Sequence, residues 1–285
     1  KQVPQAAAPC ATRARQRAMQ GPAEALRRLI MRAVDEDYPP LLHIPHELSA
    51  LAQYRRWRAE EGEPAQWLYD LVVSFWTHSM GGGVAAQAFL EGKTPMSYLT
   101  NRNYAHYHFL VYLAAYWSPR DIVYRAMTQP RNPLRLCCVA ADALDGITAL
   151  CGFVDLGCKA HPGNKLVPVM TGVLLYSGGS LARWLDLRGR GRPAKTFFAA
   201  PDSNVTRGAA LALVYWYFAY FFQRGRHRDR VVVAMSVLET LLELLEDVLG
   251  FDAYASVHKP LLAALQLLRG RCRLGPPRAK PAAAE

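Results

Sequence analysis

Hydrophobic and polar positions are sharply segregated along this chain. Four runs contain no Lys, Arg, Asp or Glu: Leu71–Leu90 with 20 residues, Asn103–Pro119 with 17, Leu166–Ala182 with 17 and Gly208–Gln223 with 16. A helix crossing the hydrocarbon core needs about 20 mostly apolar residues, within a range of about 17–25. Four such runs, flanked by Arg and rich in Trp and Tyr, read as membrane helices rather than as buried helices of a soluble core. Three further segments join them. Tyr38–Arg56 is weaker and holds His43, His46 and Glu47; Leu134–Cys158 carries Asp142, Asp145 and Asp155; residues 231–251 place Glu239, Glu243 and Asp247 at i, i+4 and i+8, an acidic stripe on one face. The pattern predicts an all-α membrane protein with helices over about 38–56, 67–91, 103–122, 134–158, 166–187, 207–222 and 231–251. Residues 1–37 read as a polar arm with a short amphipathic helix over 22–34. Residues 38–251 form the membrane domain, and 252–285 an amphipathic helix (255–269) with a disordered Pro/Ala/Lys tail.

Two of the apolar runs are interrupted by glycine. Residues 77–92 read THSMGGGVAAQAFLEG, with Gly81, Gly82 and Gly83 in succession; residues 176–189 read YSGGSLARWLDLRG, with Gly178 and Gly179. Glycine costs about 1 kcal/mol against Ala inside a helix, so each cluster needs a reason. At a constant offset of 96 residues, Gly82 aligns with Gly178, Gly83 with Gly179, Ala86 with Ala182 and Gln87 with Arg183. Each segment runs into a basic connection and then an aromatic helix. The chain therefore reads as two three-helix repeats plus a seventh helix. Because three is odd, consecutive repeats enter from opposite sides and are inverted, a plan used by transport proteins with broken helices along the pathway. The glycines are expected to act as a hinge of that pathway, with Gly82 and Gly179 as paired break points of helices 2 and 5.

Charge and chemistry narrow the function. The net charge is +11 and the pI about 9.5, which suggests an anionic partner. The basic runs at 188–195 and 224–230 each follow an apolar run, so they read as anchors to anionic lipid rather than as nucleic-acid sites. Residues 1–23 have four basic residues and no acid, but no apolar stretch follows directly, so they do not read as a secretory signal. The six cysteines show no metal spacing; Cys151 and Cys158, seven apart, read as packing residues on one helix face. His43 with His46, and His106 with His108, lack a carboxylate at ligand spacing, so no metal site is expected. There is no GxSxG, no P-loop and no GxGxxG after a strand. The chain does not read as an enzyme.

Several short stretches, in order, resemble the trimeric intracellular cation (TRIC) channels: HIPHEL (43–48), HSMGGG (78–83), YLTNRN (98–103), SPRDIV (118–123) and YSGGS (176–180). The resemblance spans roughly residues 38–225. It implies seven helices as a 3+3 inverted repeat plus one, a pore inside each subunit between helices 2 and 5, and a homotrimer. It implies a multi-pass protein of the endoplasmic reticulum or another intracellular membrane. The function implied is monovalent cation flow, mainly potassium, that balances charge during calcium release. A non-conducting scaffold with the same fold and a secondary transporter are the alternatives.

The chain departs from that family in helix 4. The family carries a Lys-Glu-x-x-Arg signature there, whose basic residues hold an inositol lipid. Here no Lys or Arg occurs between Arg135 and Lys159, and Asp142 and Asp145 stand near the place of the basic pair. An anionic phospholipid is therefore the one ligand left open, and no cofactor is expected. The candidate pore-lining residues are His78, Asp142, Asp145, Ser177 and Arg183. Asp142 and Asp145 share a helix face, and carboxylates within a membrane helix usually meet a water-filled cavity or a partner. Arg183 is the candidate partner.

Overall fold

The structure is a computed structural model and describes residues 24, 25, 27, 28, 30, 31, 39–62, 66–92, 102–192, 203–222 and 228–271. The described residues hold helices and no strands. In chain order they are α1 (Pro39–Glu60), α2 (Trp67–Ser74), α3 (Gly81–Glu91), α4 (Arg102–Trp117), α5 (Ile122–Thr128), α6 (Pro133–Ala160), α7 (Leu166–Gly189), α8 (Ser203–Trp216), α9 (Arg228–Leu249) and α10 (Ala253–Arg271). A π-helical turn, Phe75–Ser79, separates α2 from α3, and another, Tyr217–Phe222, extends α8. Each of the predicted apolar segments is helical. Most of the arm at 1–37 and the tail at 275–285 lie outside the described residues. So do Cys10 and Cys272, the YLTNRN stretch up to Asn101, and much of both basic runs. Within the arm, Ile30 is buried and Arg27 pairs with Asp229 at 3.0 Å.

Local chemistry sets the ends of these helices. Asn132 accepts from the Leu134 amide at 3.0 Å and Pro133 takes the first helical position of α6, where a missing N–H costs nothing. Asn164, two residues before α7, accepts from Leu166 N at 3.0 Å. The SPRDIV stretch forms a bend between α4 and α5, so the third predicted helix stops at Trp117 and not near residue 122. Arg120 and Asp121 both adopt left-handed φ, at 54° and 58°, which non-glycine residues rarely do. Asp121 is held there by the Arg55 guanidinium of α1 through two hydrogen bonds, 3.1 and 2.8 Å, and this contact draws its carboxyl below the usual carboxylate range.

The helix α6 is central and packs against α1, α7, α8 and α9, while α7 also packs on α3 and α8. One apolar core lies among α6, α8 and α9, built on Ile147, Leu150, Cys151, Val154, Tyr215 and Val232. Cys151 is fully buried and Cys158 packs against the same cluster, as packing cysteines do. A second core joins α1 to α4 through Leu51, Val111 and Tyr112.

Alongside these apolar cores, ionisable side chains are buried and large apolar ones are exposed. Glu47 and Glu239 are 0% exposed and Asp70 1%, while Leu110 is 60% exposed and Phe222 67%. Among the described helices, α6 alone is long and apolar enough to cross a membrane by length and composition. Other segments fall short because they are divided by breaks, as α2 and α3 are, or carry buried ionisable residues, as α1 and α9 do.

Candidate functional site

The two glycine clusters meet. A Cβ on Gly81 would lie 3.0 Å from the Cα of Gly179, and one on Gly178 would lie 2.8 Å from the Cα of Gly82. A Cβ on Gly82 would enter the Leu175 carbonyl, and one on Gly179 would enter that of Thr77. Only glycine lets the backbones of the second segment and α7 touch at this crossing.

The expectation of a paired break is corrected in part. The second segment is broken, but in the turn just before its glycines: Met80 N donates to Phe75 O at 2.8 Å, and Met80 takes φ −110° and ψ −9°. The other helix, α7, runs as one α-helix through Gly178 and Gly179. Its glycines are used for close approach and leave the helical hydrogen bonds intact.

The break in the second segment is held by donors from other helices. His108 of α4 donates through Nε2 to Leu71 O at 3.0 Å, and Tyr112 donates to Trp67 O at 2.8 Å. His46 of α1 reaches Ser79 O through Nε2 at 3.1 Å. Side-chain donors placed on helical carbonyls are a recognised cause of kinks. Behind the break lies a buried polar cluster. Glu47 accepts from His108 Nδ1 at 2.6 Å and from Ser79 Oγ at 2.5 Å, with His43 Nε2 3.3 Å from its other oxygen. His43, His46 and Glu47 fall on one face of α1 by their i, i+3, i+4 spacing. That spacing was the signal in HIPHEL for an inward polar face.

Beside the break is a cavity of about 360 Å³. Its walls come from α1, the π-turn and α3, α4, α6, α7, α8 and α9. They include His46, His78, Gly82, Gly83, Asp142, Asp145, Gly179, Arg207 and Glu243. Of the expected pore-lining residues, His78, Asp142 and Asp145 are on this wall. Ser177 is not: it is buried and its hydroxyl turns back to Val173 O at 2.6 Å. Gly81 and Gly178 are likewise buried in the crossing.

Arg183 is not the partner of either aspartate. Its guanidinium lies 3.6 Å over the Trp57 ring and donates to Glu61 at 3.1 Å, a glutamate it shares with Arg190 at 3.3 Å. The contact is a cation–π stack with an ion pair at one end of the cavity. Trp57 in turn touches the His78 ring, centroids 4.3 Å apart. Arg183 extends outward beyond the crossing, because one helical turn past Gly179 its side chain meets the end of α1 and not α6.

The two aspartates of α6 differ. Asp142 is bonded to His46 Nδ1 at 2.6 Å. Among the described residues, the Asp145 carboxylate has no hydrogen bond or ion pair, and it faces the cavity. The acidic stripe of α9 also has partners that the sequence reading did not identify. Arg207 binds Glu239 at 2.6 Å and pairs with Glu243, and Arg135 binds Asp247 at 2.5 Å. Among the described residues no group of three His, Cys, Asp or Glu side chains is arranged to hold a metal ion.

No family sequence model matches this chain, and no curated protein matches it in sequence. Solved structures do match in fold. One is a TRIC counter-ion channel studied for its activity in calcium release. It aligns with a TM-score of 0.62 and 15% identity over 76% of this chain and 96% of that one. Another is a trimeric intracellular cation channel from C. elegans. Without Ca2+ it gives a TM-score of 0.62 and 16% identity over 81% of this chain and 98% of that one. With bound Ca2+ it gives 0.60 and 16% over 80% and 99%. The chain has the fold of the TRIC channels.

Proposed function

We propose that this chain, built on the TRIC-channel fold, is a divergent TRIC-type channel that conducts monovalent cations, mainly potassium, across an intracellular membrane such as the endoplasmic reticulum. The spanning segments are α1, α2 with α3, α4, α6, α7, α8 and α9. They form two inverted three-helix repeats plus one, and three copies assemble as a homotrimer. Membrane placement is supported by the exposed large apolar side chains together with the buried ionisable ones. Leu213, Phe218, Phe221 and Leu241 are exposed on the outside, while Glu47, Asp70 and His108 are buried within. The role is counter-ion flow during calcium release, and anionic lipid headgroups meet the basic connections. The absence of a basic pair in α6 makes a lipid-gated pore at that place the least supported part of the family pattern. No catalytic constellation is invoked.

The observation that carries this reading is the cavity beside the broken helix, with the Asp145 carboxylate open to it. A fixed negative charge in a narrow, low-dielectric passage concentrates cations and repels anions. The glycine crossing brings Gly82, Gly83 and Gly179 to the cavity wall. Movement of α3 about the π-turn is the proposed gate.

The test is single-channel recording of purified protein in a planar bilayer under a KCl gradient. A channel gives unitary steps that reverse near the potassium equilibrium potential. A scaffold gives no current, and a coupled transporter gives no unitary steps; either result ends the channel reading.

A further inference from the structure

The two aspartates on the cavity wall differ in their partners. Asp145 is unpartnered among the described residues, whereas Asp142 is bound to His46. His46 bridges two acceptors. Its Nδ1 lies 2.6 Å from Asp142 Oδ1, and its Nε2 lies 3.1 Å from the Ser79 carbonyl, freed at the helix break. A carbonyl can only accept, so Nε2 carries a hydrogen. A carboxylate also accepts, so either Nδ1 carries a hydrogen too or Asp142 holds that proton. In both cases the pair binds one proton in common and has zero net charge.

We infer that His46 is a selectivity-determining residue that masks Asp142 from the cavity, so that loss of the single proton shared by the pair adds one fixed negative charge and raises cation preference. This inference rests on the channel reading and names how the same site is regulated.

The surroundings of His46 are consistent with that role. On α1 itself lie His43, ring centroids 5.9 Å away, and Glu47. The broken segment contributes His78 and the Ser79 carbonyl. From α4 come His108, bound to Glu47, and Tyr104 against His43. Asp142 and Asp145 project from α6, and Tyr176 comes from α7. Across the cavity, Arg207 of α8 is paired with Glu239 and Glu243 of α9. The His108 and Glu47 pair has the same bonding form but does not line the cavity. His46 with Asp142 is thus the histidine–carboxylate pair at the wall. Raising pH removes its proton, turns the pair from neutral to negative and moves selectivity toward cations. Lowering pH restores the mask.

The experiment is the reversal potential of the channel in asymmetric KCl across about pH 5 to 9, an interval that includes the window of about pH 5 to 8 in which an unperturbed histidine changes charge. Wild-type protein is expected to show a several-fold rise in the cation-to-anion permeability ratio as pH increases. His46→Gln should hold the high ratio at every pH, and Asp142→Asn the low ratio. His46→Lys keeps the positive charge, so it should stay low over the same range. A merely structural role for His46 would move His46→Gln and Asp142→Asn in the same direction. That outcome, or a pH-independent wild-type reversal potential, overturns the inference and leaves the channel reading standing. Absence of wild-type current overturns both. Thermal melting in detergent separates misfolded variants, and if His46→Gln does not fold, His46→Lys still decides: it should match wild type at low pH and fall below it at high pH, whereas a pH-independent gap overturns the inference.

Discussion

The second helical segment and α7 both bring glycines to the centre of the fold, yet one is broken and the other is straight. Both also carry hydroxyl side chains bonded back to their own backbone: Thr77 to Val73 O at 2.7 Å, and Ser177 to Val173 O at 2.6 Å. The glycines and these back-bonds are therefore insufficient to break a helix. What the second segment has in addition is outside donors, with His46, His108 and Tyr112 drawing on its carbonyls. Among the described residues, α7 has no such donors on the carbonyls around Gly178 and Gly179. The break coincides with donors from neighbouring helices, to which we attribute it, and the glycines make room for the crossing.

The largest expected effect comes from filling that crossing. Gly82→Ala or Gly178→Ala places a methyl against backbone, which cannot yield as a flexible side chain can. Overpacking that flexible side chains absorb costs about 1–3 kcal/mol; here the methyl meets backbone, so the loss should exceed that range and be the largest of those compared. Thermal melting in detergent should fall sharply for both. Gly152→Ala, with nothing within 4 Å of its Cβ, should be neutral or gain up to about 1 kcal/mol. Gly82→Leu should thus push α7 away rather than straighten the second segment. Equal tolerance of alanine at Gly82 and Gly152 would contradict the crossing.

Next comes the origin of the break. His108→Leu leaves Glu47 buried without its main partner, a loss of about 3–5 kcal/mol for a broken buried pair. His108→Leu with Glu47→Leu should recover much of that stability. Hydrogen exchange should then show greater protection at residues 71–80, because the carbonyls return to the helical ladder. Unchanged exchange in a folded double variant would place the cause of the break elsewhere.

Smaller effects test the periphery. Arg183→Gln removes the stack on Trp57 and the bond to Glu61, a change of about 1–2 kcal/mol. Since Arg183 contacts neither aspartate of α6, it should not rescue Asp142→Asn with Asp145→Asn. Rescue would restore the pairing that the geometry excludes. The smallest effect is at the exposed bend. The Arg55 contact lowers the folded-state ionisation of Asp121, so its stabilisation is present above the ordinary carboxylate value of about 4 and fades as pH falls through the lowered one. Asp121→Asn should melt slightly lower at pH 7 and match wild type in strong acid.

Much of this fold was legible because long uncharged runs with few breakers fold as helices. The seven predicted segments are all helical, but the breaks that split the second and end the third at Trp117 were not placed correctly, and the glycine clusters located the crossing. The cavity residues His78, Asp142 and Asp145 were legible because ionisable groups in apolar runs are costly and need a setting. Partners were less legible, since they depend on helix rotation and depth. The sequence offered Arg183 as the cation nearest Asp142 along the inferred repeat. The packing instead brings His46 from 96 residues away, and turns Arg183 onto Trp57 and Glu61. The position of the break was missed for the same reason: its cause lies in α1 and α4, not in the segment that bends.

The central claim, that the cavity beside the broken segment is a cation pathway whose open charge is Asp145, is tested most directly by one measurement. The reversal potential of wild-type and Asp145→Asn channels is compared in asymmetric KCl at neutral pH. The account predicts unitary currents in both, with the wild type near the potassium equilibrium potential and Asp145→Asn shifted toward zero by a several-fold drop in cation preference. Identical reversal potentials in two folded, conducting proteins would contradict it.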